Sequence, residues 1–113
     1  MKELILKLTC LALVIPTFFS CSNPAVQRTL NDVETYIMDR PDSALAVLDS
    51  MDRTLLTTDR LKAHHALLHA MALDKNYIDV TDDSLASVAL DYYSRKGPKK
   101  YEARSLYYLG LSH

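Results

Sequence analysis

The sequence predicts an all-α protein, built as antiparallel helical hairpins with about five helices. Three observations predict it. Apolar side chains recur at i, i+3, i+4 and i+7 in successive segments from residue 24 onward, the spacing of one helix face. No run of four or more residues alternates apolar with polar as a half-buried strand does. The chain holds only 2 glycines, few for a fold with many tight turns, and 11 of its 14 acidic residues are Asp. Asp is a poor helix-interior residue and a good cap, so an Asp-rich helical sequence implies short helices with many ends. At 113 residues the chain is one domain at most.

The elements follow in order. Lys2 and Lys7 sit in a charged start, and Leu8 to Phe19 carry no charge. This apolar run is shorter than the roughly 20 residues a spanning helix needs, and Pro16 interrupts it. A charged start and a short apolar stretch form a signal peptide, here residues 1–20. The stretch Phe18-Phe19-Ser20-Cys21 resembles the lipobox of bacterial lipoproteins. That resemblance implies cleavage before Cys21 and acylation of its sulfur, which would anchor the chain by lipid in the bacterial cell envelope, facing the periplasm. Residues 21–25 would be a short tether. Each buried CH₂ adds about 0.8 kcal/mol to such an anchor. Cys10 lies inside the apolar run, so no disulfide forms within a single mature chain and no thiol is left for catalysis.

A first helix is expected over Pro24 to Met38, with Val26, Leu30, Val33 and Ile37 on one face. Pro41 suits the first position of a second helix, which carries Ala44, Leu45, Val47, Leu48 and Met51. A third helix spans Asp59 to Lys75 with two apolar stripes, Leu61, Leu68 and Ala72 on one and Ala63, Leu67, Ala70 and Tyr77 on the other. Apolar on two sides, it belongs between neighbours. The cluster Thr81-Asp82-Asp83 opens a fourth helix, with Leu85, Val88, Ala89 and Tyr92 on one stripe and Ala86, Leu90 and Tyr93 on a second. Gly97-Pro98 ends it. A fifth begins there and carries Ala103, Leu106, Tyr107 and Gly110.

The segments repeat. At an offset of forty, Ala63 meets Ala103, Leu67 meets Tyr107, Leu68 meets Tyr108 and Ala70 meets Gly110. At forty-one, Asp42, Ser43 and Val47 meet Asp83, Ser84 and Val88. Such a period marks a helical repeat array. On Ala86, Tyr93, Pro98 and the stretch Tyr101 to Gly110, residues 26–113 resemble the tetratricopeptide (TPR) repeat family, as it occurs in bacterial lipoproteins whose repeats follow the anchor. The resemblance implies a TPR-like solenoid acting as a scaffold for a protein or peptide partner. Two alternatives are the sensory N-terminal part of a longer signalling or transcription-regulatory protein and a nutrient-binding lipoprotein. The fifth helix is apolar around most of its circumference, a poor terminal cap. Two explanations are a truncated array and self-association through this C-terminal helix.

Candidate chemistry is sparse. His65 and His69 are one turn apart and could present two imidazoles to a metal. A third ligand is missing, so the expectation is no metal, with His64, His65 and His69 facing solvent or a partner. Asp79, Asp82 and Asp83 lack the glycine and distant Glu of a calcium loop and read as caps. Arg95, Lys96, Lys99, Lys100 and Arg104 form a basic patch. Tyr92, Tyr93, Tyr101, Tyr107 and Tyr108 form an aromatic set suited to a partner surface, since each ring has an apolar body and a polar tip. The net charge of −1 provides no field for nucleic acid, and without residues 1–20 it is about −2. No nucleophile-base arrangement or phosphate-binding loop is present, so neither an enzyme nor a cofactor is expected.

Overall fold

A computed structural model describes residues 24–80 and 82–112. Among them are five α-helices: α1 (Pro24–Tyr36), α2 (Pro41–Ser50), α3 (Asp59–Lys75), α4 (Ser84–Tyr93) and α5 (Lys99–Leu111). A short 3₁₀ turn, Arg53–Leu55, joins α2 to α3, and the described residues contain no strand. The chain is therefore all-α. The expected signal peptide (1–20), Cys21 and the start of the tether lie outside the described residues. Pro24 and Ala25, read as tether, already belong to α1.

The stripe on α1 is buried as its spacing requires: Val26, Leu30, Val33 and Ile37 are 5% exposed or less. The helix closes two residues before the expected Met38. Pro41 disfavours helical backbone at Arg40, which sits at φ −136, ψ 67. The Asp39 and Arg40 N–H groups both turn back onto the Tyr36 carbonyl. In α2, Pro41 occupies the first turn, Ala44 and Leu48 are fully buried, and Leu45, Val47 and Met51 pack half-buried beside them.

Helix α3 is the centre of the molecule. Thr58 caps it, its hydroxyl accepting from the Leu61 N–H at 3.1 Å. Leu61, Ala63, His64 to Leu68 and Ala70 to Ala72 are all buried, so the helix is enclosed on nearly every side. It ends at Lys75. The Tyr77 N–H returns to the Asp74 carbonyl and the Ile78 N–H to the Leu73 carbonyl, both at 3.0 Å. This is the double bond of a Schellman ending, which needs a left-handed residue; that residue is Tyr77, at φ +60. Tyr77 was expected in the second apolar stripe. It is instead 95% exposed, because the helical period stops two residues before it.

Helix α4 starts where Asp82 accepts from the Ser84 N–H at 2.7 Å, and buries Ala86, Ala89 and Tyr93. It ends at Tyr93, short of Gly97. Val88, expected on a packed stripe, is exposed. Gly97 is required twice over: its φ is +95, and a Cβ would stand 2.8 Å from the Tyr93 ring. In α5 the expected apolar face is reversed. Ala103, Leu106, Tyr107 and Gly110 are exposed, while Ser105 is fully buried and Tyr101, Tyr108, Leu109 and Ser112 are half-buried.

Each helix packs on the next in sequence, α1 also packs on α3, and α3 also packs on α5. One face of α3 meets α2: the His65 Nε2–H donates to the Leu48 carbonyl at 3.0 Å, and His69 reaches Asp49 at 3.0 Å. Leu61, Leu68 and Ala72 share that face by helical spacing. Forty residues later, Tyr101, Ser105, Tyr108 and Ser112 are the inward face of α5, with the Tyr101 ring 5.1 Å from Tyr93 at the end of α4. The pattern fails only on the opposite side. Ala63, Ala66, Leu67 and Ala70 are buried on α3, and their counterparts on α5 are open.

Candidate functional site

Helices α1, α3 and α5 share one face, joined by a polar cluster at its centre. Glu34 of α1 lies one residue beyond Val33, on the flank of the buried stripe. The Tyr101 hydroxyl of α5 donates to both its carboxylate oxygens, at 2.8 and 3.0 Å. The His64 Nε2–H of α3 donates to Oε1 at 2.7 Å, while His64 Nδ1 accepts from the Gln27 amide at 3.2 Å. The Arg104 guanidinium stands 3.6 Å away. Burial pushes the Glu34 carboxyl up, but hydrogen bonds from His64 and Tyr101, with the Arg104 charge, outweigh it and hold the group below its ordinary value. Burial and the bond to Glu34 push the Tyr101 hydroxyl up.

This cluster divides two hollows. One, of about 420 Å³, is lined by Gln27, Asn31, Arg60, His64, Tyr92, Tyr93, Lys100 and Tyr101. It is polar and basic at its rim. The other, of about 410 Å³, is lined by Ile37, Met38, Met71, Ala103, Tyr107 and Tyr108 beside Glu34 and Arg104, and is mainly apolar. The five tyrosines singled out in the sequence all line these two hollows. Tyr93 is a wall residue, buried to 5% exposure with its hydroxyl pushed far up by burial. Tyr92 stacks edge-on against it at 5.1 Å.

The basic patch does not stay together. Lys100 and Arg104 flank the Tyr101 ring, at 5.2 and 5.6 Å from its centre. Arg95 is on the other side of α4, paired with Asp91 at 2.9 Å. Lys96 and Lys99 are exposed.

The histidines need a correction. They were expected to face solvent or a partner, but His64 and His65 are buried and His69 is nearly so. Inside the helix layer one ring N–H of each finds an acceptor: His64 on Glu34, His65 on the Leu48 carbonyl and His69 on Asp49. Burial depresses both His65 and His69 below the ordinary histidine value. The Nδ1 of His69 is buried without a hydrogen-bond partner. Among the described residues, no three metal-ligating side chains are placed to share an ion.

Sequence reasoning missed Glu34, His64, Gln27 and Arg60 as members of one site. Glu34 had one signal: it is a Glu in an Asp-rich chain, on the edge of an apolar stripe. Compared with protein-family models, curated proteins and solved structures, the chain matches none. No described helix is long and apolar enough to cross a membrane.

Proposed function

We propose that the chain is a TPR-like helical-repeat scaffold, anchored to the bacterial envelope through lipid on Cys21, that binds a protein or peptide along the α1–α3–α5 face. The observation that carries this reading is the paired hollows on that face. Three helices, separated by up to 67 residues in sequence, contribute to one groove with a basic, polar half and an apolar, aromatic half. Such a groove suits an extended segment with an acidic or polar end and an apolar side chain. Repeat arrays bind by this kind of preformed surface, with side chains from successive helices. Helix order supports the solenoid, since each helix packs on the next and the odd-numbered helices pack on one another, α1 on α3 and α3 on α5. The common inward register of α3 and α5 supports it too.

Panning a random-peptide phage library on the immobilised full chain tests the groove. Selected peptides should lose about tenfold in affinity, some 1.4 kcal/mol, on Arg60→Ala or Met38→Glu and none on Lys62→Ala outside it. Peptides indifferent to both groove variants would overturn the assignment. The anchor is tested separately: radiolabelled palmitate should enter the full chain expressed in bacteria and be absent from Cys21→Ala.

A further inference from the structure

A third hollow lies apart from the groove, between the C-terminal turns of α3 and α5 and the start of α4, and Tyr108 alone borders both. Its volume is about 170 Å³. A cavity of roughly 150 Å³ takes a benzene-sized molecule. Burial sorts the lining into a floor and a rim. Ala70 and Ala86, at 8% and 3% exposure, are the floor. Asp79 and Asp82 are exposed and Asp74 is half-buried, so these carboxylates stand at the rim. They are the only charged side chains lining the hollow among the described residues. One oxygen of Asp82 caps α4. Lys75, the neighbour of Asp74 in sequence, is 3.9 Å from its carboxylate with both groups 36% exposed, too long and too wet a contact to neutralise it. Asp79 has neither a hydrogen-bond nor an ion-pair partner among the described residues. Burial pushes the Tyr108 hydroxyl up, and the charge of Asp74 adds to that.

We propose that this hollow binds a small organic ammonium, an apolar body of about six carbons that carries a cationic amine. The body fills the space over Ala70 and Ala86, against Leu85 and Leu111. The ammonium stays at the mouth among Asp74, Asp79 and Asp82. Apolar surface then leaves water, while the charge meets carboxylates without being desolvated, which would be costly. The same arrangement disfavours two other cations. A divalent metal gathers its oxygen ligands around one point, and among the described residues no three ligating side chains are placed to share an ion. A lysine side chain of a protein partner enters ammonium first. That would set its charge against the alanine floor, away from the rim carboxylates, where an unpaired charge is unfavourable.

Calorimetric titration of the full chain in non-ionic detergent, corrected by a detergent-only titration, tests this with cyclohexylamine, cyclohexanol and cyclohexanecarboxylate. Cyclohexylamine should bind at a single site. Cyclohexanol, with the same body and no charge, should bind at least about tenfold more weakly, and the carboxylate should not bind. Asp74→Asn/Asp79→Asn should weaken the amine at least about tenfold and leave cyclohexanol unchanged, with helical circular dichroism preserved. Arg60→Ala in the groove and Asp91→Asn outside the hollow should bind the amine as the wild type does, which separates this site from the peptide groove. Amine and alcohol bound alike, or an amine indifferent to the double variant, would overturn the inference. So would a wild-type chain that takes up no cyclohexylamine at millimolar concentration.

Discussion

At the scale of the residue, polar groups inside the helix layer set the chain's response to pH. His65 and His69 are neutral-favouring because burial outweighs their acceptors, and a second proton on His69 would be stranded at the unpartnered Nδ1. Their folded pKa values lie below the unfolded one, near 6.5. The unfolded chain therefore binds more protons as pH drops, and stability falls with it. Melting temperature should decline as pH falls through about 6.5, and thermal melts of His65→Asn/His69→Asn should lose most of that decline. Glu34 acts lower: its depressed carboxyl favours the fold above the ordinary glutamate range and ceases to as pH falls through that range and below. Tyr77 offers the opposite kind of test. A non-glycine residue at φ +60 is strained, and the ring is 95% exposed and gains nothing. Tyr77→Gly should stabilise the chain by about 1 kcal/mol, measured by urea unfolding.

At the scale of the element, the same register has opposite value on α3 and α5. Leu67 is fully buried, and its counterpart Tyr107 is 58% exposed. Leu67→Ala should cost about 2–5 kcal/mol through lost burial and a cavity. Tyr107→Ala, at an exposed ring on α5, should stay within about 0.5 kcal/mol. Equal costs in paired urea titrations would refute the assignment of faces. The helices themselves were legible in the sequence: the α1 stripe is buried at all four positions, and α3 has the expected bounds. Periodicity carried that information because each stripe is long and its caps are local. It could not say which stripe of α5 faces inward, since apolar residues lie on both sides and tertiary packing alone decides. It also missed the Schellman ending at Tyr77, where no Gly or Asn announces the left-handed turn.

At the scale of the whole molecule, the groove exists only because α1, α3 and α5 are brought side by side. The Glu34 cluster was not legible because its members are up to 67 residues apart, and no local pattern links them. The tyrosines, chosen for their chemistry, do converge on the groove, whereas the basic patch divides between two sides of α4. This follows from helix geometry. Arg95 and Lys100 are close in sequence, but the bend at Gly97 sends the chain from the outer end of α4 to the groove side of α5. The central claim is that stacking lays the third helix against the fifth around the Glu34 cluster. A nuclear Overhauser spectrum of the full chain in detergent tests it most directly, through the rings of His64 and Tyr101, whose centres lie 5.9 Å apart. The account predicts cross-peaks between the imidazole protons of His64 and the ring protons of Tyr101. Their absence from a folded, helical sample with both rings assigned would contradict it.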